Sequence, residues 1–259
     1  MKYIFKLIFY ILVSFTVLFS SFIYAKNTVN IPILCYHNLN PTVKGSMNIT
    51  PKKFEEQLKW LKNNGFTIIP LKQAVKYLNG EIKSLPKKSI VITADDGWQS
   101  VYKYMYPIAK KYNTPITLFI YPQTISNGKN AMTWEELKKL QQSKLFDIQS
   151  HTYGHPNFKK NKRRLSADKY KNFVNKELTN SKKILEEKLD TKITLLAWPF
   201  GIYNKFLEQE AANAGYKTAF SIDAKPANKK YNPMSQPRYM IIDGQSMKTF
   251  ARIANTASS

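Results

Sequence analysis

Short apolar runs alternate with amphipathic segments along most of the chain. Runs such as residues 90–92 and 116–120 are almost wholly apolar, which is typical of strands buried on both faces of a parallel sheet. Between them lie segments with apolar residues at helical spacing, such as Phe54, Leu58 and Leu61. Repeated strand–helix units predict an α/β fold with a parallel sheet. Seven or eight such strands predict a barrel, either closed or incomplete.

Capping residues and glycines place the ends of these elements. Thr50 followed by Pro51 begins a helix, and Thr133 with Glu136 forms a capping box that begins another. We read residues 38–48 as a loop. Strands are predicted over residues 31–36, 66–69, 89–93, 116–120, 145–149, 193–198, 217–221 and 239–242. The other helices are predicted over residues 71–78, 99–111, 166–189, 204–214 and 247–254.

The first 25 residues have the pattern of a secretory signal peptide. Lys2 and Lys6 form a basic start, residues 7–22 are almost wholly apolar or hydroxylic, and Ala25 offers a small residue for cleavage. The alternative is an uncleaved membrane anchor, although the apolar stretch is short for a span. In both cases we expect an exported protein, periplasmic, extracellular or at the cell surface. Residues 26–259 are then long enough to form one large α/β domain with a full core.

The charge is strongly positive, with a formal net value of +23. Such a balance favours anionic surroundings, and we expect contact with an anionic envelope surface. The lysines are scattered, and no basic groove with interleaved aromatic residues predicts a nucleic-acid partner. The densest basic run, residues 159–164, is read as a solvated loop. Cys35 is the one cysteine, which excludes an intrachain disulfide, and we expect a monomer whose Cys35 packs in the core.

Two adjacent carboxylates follow the third predicted strand. Asp95 and Asp96 come directly before Gly97, which favours a sharp turn at the carboxyl end of the strand. In α/β sheets and barrels, functional sites are built at that edge. Two unpaired carboxylates are costly to bury, and a metal ion would relieve their repulsion. A helix N-cap is the alternative interpretation, although it explains only one of the two aspartates.

The chain has three histidines, and each lies at or just past the end of a predicted strand. They are His37, His151 and His155. The four-residue spacing of His151 and His155 lets both rings reach one metal ion. Two histidines and one carboxylate form a common catalytic zinc set. With Asp95 and Asp96 at the same edge of the sheet, this pattern predicts a metal site.

Three segments taken together resemble the motifs of the polysaccharide deacetylases, the family with the NodB-homology domain (carbohydrate esterase family 4). They are Thr-Ala-Asp-Asp-Gly at residues 93–97, His-Thr-x-x-His at residues 151–155, and Ala-Trp-Pro-Phe-Gly at residues 197–201. The resemblance covers residues 30 to 245. It implies a distorted (β/α) barrel and a metal-dependent deacetylase of a glycan. Within the family it is nearest to the poly-β-1,6-N-acetyl-D-glucosamine N-deacetylases.

The resemblance also implies roles for the site residues. Asp96, His151 and His155 would hold one divalent metal ion, zinc in the first place, with cobalt, nickel or iron also suited to this ligand set. Asp95 would be the general base. The family's usual acid is a histidine late in the chain, and no histidine follows His155 here. By resemblance to the branch whose acid lies near the N-terminus, His37 would protonate the leaving amine.

Besides lacking the family's usual late Leu-x-His acid, the chain departs from the family pattern at two positions of the motifs. The first motif usually has Phe where this chain has Ala94. The third usually opens with an arginine that orients the base, and this chain has Ala197 there. Arg238, before a late strand, is our candidate for the missing arginine.

Aromatic residues near the strand ends are candidates for sugar stacking. Trp98 and Trp198 are the preferred ones, together with Pro199 and Phe200 of the third motif; core packing is the alternative for each.

The leading hypothesis is a secreted deacetylase that removes N-acetyl groups from a poly-N-acetylglucosamine-like glycan by metal-activated attack of water. Its alternatives are a deacetylase of peptidoglycan, of a lipid-linked sugar or of an O-acetyl glycan, and a non-catalytic glycan-binding homologue.

Overall fold

The computed structural model describes residues 29–42 and 45–258, so the predicted signal peptide lies outside the described residues. No helix within this part of the chain has the length and apolar character needed to cross a bilayer. The strands are Ile33–Tyr36 (β1), Asn38–Leu39 (β2), Asn48–Ile49 (β3), Thr67–Ile68 (β4), Ser89–Asp95 (β5), Ile116–Ile120 (β6), Phe146–Ser150 (β7), Leu195–Ala197 (β8), Thr218–Phe220 (β9) and Tyr239–Met240 (β10).

Helices connect these strands. Thr50 and Thr133 cap helices as predicted, and Thr133 forms its capping box with Glu136. The α-helices are Pro51–Asn63 (α1), Leu71–Leu78 (α2), Tyr106–Tyr112 (α3), Trp134–Gln142 (α4), Phe158–Arg164 (α5), Ala167–Leu189 (α6), Lys205–Asn213 (α7) and Met247–Ala254 (α8). A π-helical turn, Val101–Met105, precedes α3.

The main sheet has eight parallel strands and curls on itself. Its order is β10-β1-β5-β6-β7-β8-β9, with β4 on the amino-terminal part of β5. The segment 236–240 pairs with both edges, because Gln236 bridges Phe220 in parallel and Tyr239–Met240 pairs with β1. The predicted distorted (β/α) barrel is therefore confirmed, and one short late segment joins its two edge strands.

Side-chain alternation divides the core into two layers. Ile33, Val91 and Phe119 pack with residues of β8 and β9 inside the barrel, whereas Leu34 and Ile92 pack against the helices. Both faces of the strands are thus apolar, as the continuous runs in the sequence predict. The same alternation decides which polar side chains at the strand ends enter the barrel.

Two local predictions are wrong. The predicted loop 38–48 contains the short parallel pair β2 and β3. The basic run 159–164 lies in helix α5 rather than in a loop. Asn157 caps this helix by accepting from the backbone N–H of Lys160, and the buried Phe158 anchors it, while three basic residues in its last turn suit the helix dipole.

Candidate active site

Strand β5 carries Asp95 into the barrel because Asp95 shares a face with Val91 and Thr93. There Asp95 meets Arg238, which lies between Gln236 and β10. The guanidinium donates Nη1 to Oδ1 at 2.9 Å and Nη2 to Oδ2 at 2.7 Å. Arg238 is 0% exposed and Asp95 2%, so this bidentate pair is fully desolvated.

Further contacts fix both members of the pair. Arg238 also donates to the Thr93 hydroxyl and to the Ser221 carbonyl, each at 3.1 Å, and its guanidinium lies 5.1 Å from the centre of the Phe119 ring. The buried Cys35 thiol lies 3.4 Å from Asp95 Oδ2 and donates to it. Cys35 thus occupies the core position predicted for it.

Charge decides the ionisation of this pair. Burial alone would raise the pKa of Asp95, but the charge of Arg238 and its hydrogen bonds to the carboxylate hold the pKa well below its usual range. Burial also opposes the charged guanidinium, yet Asp95 outweighs it and raises the pKa of Arg238. Burial raises the pKa of the Cys35 thiol, which therefore stays protonated. Asp95 is ionised across the physiological range.

The side chain of Asp96 lies beside the two histidines rather than in the Asp95–Arg238 pair. Its φ of 77° breaks the strand alternation at the turn that Gly97 completes. Asp96 Oδ1 lies 3.5 Å from His151 Nε2 and 3.6 Å from His155 Nε2, and Trp98 Nε1 donates to Oδ2 at 3.1 Å. The ligand atoms of Asp96, His151 and His155 all lie within 4.8 Å of one another, and we call these three residues the metal group.

This group fits a divalent cation. His151 Nδ1 lies 2.8 Å from the Ala197 carbonyl, and a carbonyl accepts, so Nδ1 carries the proton and Nε2 presents a lone pair to Asp96. Asp96 Oδ1 is buried without a hydrogen-bond partner. Burial is the main cause that lowers the pKa of His155 to about 4, so its ring is neutral near pH 7. Two neutral imidazoles and one carboxylate whose ligand atoms face one another are a donor set that zinc takes.

Helix α6 holds the loop that carries the two histidines. Glu177 Oε2 accepts the backbone N–H of Tyr153 at 3.1 Å and of Gly154 at 2.8 Å. Thr152, just before these two residues, and His155, just after them, adopt φ values of 65° and 55°. Non-glycine residues adopt this left-handed backbone region at a cost in free energy. Such strain persists where surrounding contacts hold the backbone in place. Sequence reasoning missed Glu177, because nothing in the helix sequence distinguishes it from other exposed-looking polar residues.

His37 lies across the barrel edge from the metal group. It follows β1 directly, and its ring nitrogen lies within 4.8 Å of a carboxylate oxygen of Asp95. Its Nδ1 is buried without a hydrogen-bond partner. Burial lowers the pKa of His37, although Asp95 and Asp96 work in the opposite direction. The structure thus brings His37, Asp95 and Arg238 together beside the metal group.

The predicted sugar-stacking residues divide into two classes. Trp198 is 1% exposed, packs on Phe158 and donates Nε1 to the Met234 carbonyl at 2.8 Å, and Pro199 is buried as well. The expectation that Trp198 and Pro199 offer a surface to a sugar is therefore wrong. Phe200 is 56% exposed and lies 4.7 Å from the His155 ring, measured between ring centres. Trp98 is half-buried and lines open space next to Asp96.

Comparisons with known proteins agree with this geometry. A model of the polysaccharide deacetylase family matches residues 82–219. The chain is 28% identical over 200 residues to the poly-β-1,6-N-acetyl-D-glucosamine N-deacetylase of Staphylococcus aureus (strain N315), covering 76% of this chain and 68% of that protein.

Two solved structures share the fold. One is the Streptococcus pyogenes deacetylase PplD in complex with acetate, with a TM-score of 0.77 and 25% identity, covering 88% of this chain and 99% of that one. The other is IcaB from Ammonifex degensii, with a TM-score of 0.77 and 24% identity, covering 89% and 98%. The family match extends over more than half of the sequence, and it includes the segment that carries Asp95, Asp96, His151 and His155. This chain belongs to the polysaccharide deacetylase family.

Proposed function

We propose that this protein is an exported, metal-dependent N-deacetylase of a poly-N-acetylglucosamine-like glycan. One observation carries the proposal. A three-residue cation group (Asp96, His151 and His155) lies directly beside a buried carboxylate, Asp95, that Arg238 holds in its ionised form. The similarity to the S. aureus N-deacetylase supports the choice of substrate class.

Asp95 and Arg238 act together on the attacking water. The carboxylate accepts the proton of the water as the water attacks the acetyl carbonyl. Arg238 occupies one side of both carboxylate oxygens, so it fixes the plane of the carboxylate and keeps it ionised at neutral pH.

His37 is placed to receive that proton. Its ring lies within 4.8 Å of Asp95, a distance that one water molecule bridges. The resting ring is neutral, because burial lowers its pKa, and it becomes an acid only after it gains a proton. It then donates that proton to the leaving nitrogen, so the amine departs uncharged rather than as an anion.

Asp96, His151 and His155 would hold the metal, zinc in the first place, and cobalt, nickel and iron also suit these ligands. The cation supplies polarisation of the acetyl carbonyl and a lowered pKa for the attacking water. The Ala197 carbonyl orients the His151 ring and Trp98 orients Asp96, so these two ligands are positioned by the protein itself.

Retention of the complete set argues against a non-catalytic homologue. A glycan-binding module needs neither a desolvated Asp95–Arg238 pair nor an unpartnered acceptor at Asp96, and both cost stability.

Acetate release tests the proposal. The substrates are poly-N-acetylglucosamine and chitin oligomers, and the protein is stripped of metal and refilled with zinc. We expect zinc-dependent release that Asp95→Asn abolishes. Asp147→Asn is the matched control, because Asp147 lies on β7 and pairs with Lys72 at 2.6 Å, away from the metal group.

Absence of release from both glycans, with zinc bound and the protein folded, would refute the proposed substrate. Peptidoglycan, lipid-linked sugars and O-acetyl glycans, offered in the same assay, then distinguish a deacetylase of another glycan from a binding protein.

Export and the anionic surroundings belong to the same proposal. They rest on the basic start, the apolar stretch and Ala25 in the sequence, and on the net charge of +23. Amino-terminal sequencing of the protein recovered from the cell envelope or medium should begin at Lys26. An intact Met1 in the recovered protein would indicate an anchor instead.

A further inference from the structure

A second open space adjoins the candidate active site. Asp96 and Trp98 line a pocket of about 140 Å³. Trp98 and Asn130 also line a larger cleft of about 490 Å³, so the two spaces meet at these side chains. The cleft volume falls within the range of small-ligand sites, about 300–1,000 Å³. A ligand bound at the metal group therefore has room to continue past Trp98.

The walls of the cleft are tied to the catalytic strands. Ser100 Oγ donates to Asn38 Oδ1 at 2.6 Å and accepts the backbone N–H of Leu39 at 3.1 Å. The backbone N–H of Gln99 donates to the Asn130 carbonyl at 2.8 Å. The segment after β1, which carries His37, is thereby joined to the segment after β5, which carries Asp96. The cleft is fixed relative to the reacting groups.

The lining has the chemistry of a carbohydrate site. Trp98 and Tyr104 offer aromatic rings, on which pyranose rings stack. Four side-chain amides supply both donors and acceptors, which match sugar hydroxyl and acetamido groups. The amides belong to Asn38, Asn40, Gln99 and Asn130.

Lys103 is the charged residue of this lining, and no carboxylate accompanies it there. It is exposed and lies on the π-helical turn Val101–Met105, with Nζ 5.1 Å from the centre of the Tyr104 ring. Such turns widen a helix locally and frequently occur at functional sites. An ammonium group in the cleft repels a second ammonium group and accepts a neutral acetamido group.

We propose that this cleft binds a sugar unit adjacent to the one that reacts, and that Lys103 selects an N-acetylated unit over one with a free amine. The inference rests on the proposed function. The reaction turns a neutral unit into a cationic one, so each turnover disfavours attack on the neighbouring unit. Chains treated with this enzyme should carry separated amines rather than continuous deacetylated blocks.

The test compares two oligomers of N-acetylglucosamine, one fully acetylated and one with a free amine at one end unit. For the wild-type holoenzyme we expect kcat/KM to be about three- to tenfold lower with the free-amine oligomer, the size that one solvent-screened charge pair supports. Lys103→Gln should remove the difference and Lys103→Glu should reverse it. Added salt should reduce it in the wild type.

Lys110→Gln is the matched control, because Lys110 is an exposed lysine of α3 that does not line the cleft. It should retain the wild-type preference. Equal kcat/KM for the two oligomers in the wild type, or an unchanged preference in Lys103→Glu, would overturn the inference.

Calorimetric titration separates this inference from the proposed function. If the wild type releases no acetate, the proposed function fails. The same two oligomers are then compared by binding, where the Lys103-dependent preference must still appear. Binding without that preference, or no binding, would refute the cleft assignment.

Discussion

Replacement of Arg238 by methionine should destabilise the protein strongly while leaving most of the packing in place. The change removes two charge-assisted hydrogen bonds to Asp95, of 2.9 and 2.7 Å, and leaves a buried carboxylate without its cationic partner. Breaking a buried pair from one side costs about 3–5 kcal/mol. For a domain of this size the melting temperature should fall by about 6–20 °C.

The free energy of unfolding should change with pH in opposite directions in the wild type and in Arg238→Met. In the wild type the folded pKa of Asp95 lies below its unfolded value of about 3.9, so its stabilisation is complete above that pH and is lost as the pH falls through the folded pKa. In Arg238→Met, burial raises the folded pKa above the unfolded value. The folded state of the variant is then more stable in acid, and its free energy of unfolding falls as the pH rises. The difference in unfolding free energy between the two proteins should be largest near pH 7 and smaller near pH 4, where the wild type keeps its stabilisation but the variant regains part of its own.

Urea unfolding at both pH values measures this difference, with chelator present throughout because bound metal would add stability. Asp95→Asn alone should also cost about 3–5 kcal/mol, since it leaves a buried guanidinium without its partner. The double variant should lose clearly less than the sum of the two single losses. Additive losses, or a loss below about 1 kcal/mol in Arg238→Met, would refute the reasoning.

Three further predictions concern other parts of the site. His37→Ala should lower kcat by about 10²- to 10⁴-fold with zinc content unchanged by elemental analysis; loss of zinc would contradict its role as an acid. Glu177→Gln should weaken zinc binding by about 10- to 100-fold in a chelator competition, because the loop with His155 loses a charged acceptor, and wild-type affinity would argue against this. Gly201→Ala should cost more unfolding free energy than Gly80→Ala, because both have positive φ but only at Gly201 would a Cβ lie 2.4 Å from Ile222; equal costs would contradict the steric explanation.

Much of the site could be predicted because strand ends are visible in sequence. Asp95, Asp96, His151 and His155 each follow an apolar run, and parallel strands bring their carboxyl ends to one edge. Arg238 was found by asking which residue replaces a missing partner. Its contact with Asp95 depends on a segment that joins both edges of the sheet, which no local pattern specifies.

The errors at Trp198 and Glu177 have different causes. In β8, Leu195 and Ala197 face the barrel interior, so Leu196 and Trp198 face the helices, and Trp198 fills the space beside Phe158. Alternation along the strand contained this information, but position at a strand end was given more weight. Glu177 acts through a contact between α6 and a loop more than 20 residues earlier in the chain. Helical spacing alone carries no signal for such a contact.

The pairing of Asp95 with Arg238 also affects the order in which the protein matures. The two residues are 143 positions apart, so the carboxylate is made long before its partner leaves the ribosome. Until the segment 236–240 has been synthesised, the barrel edges stay unjoined and the base remains unpaired in any compact intermediate. A chain that stops short of residue 238 therefore has every metal ligand but lacks both the guanidinium that orients the base and the segment that joins β1 to β9.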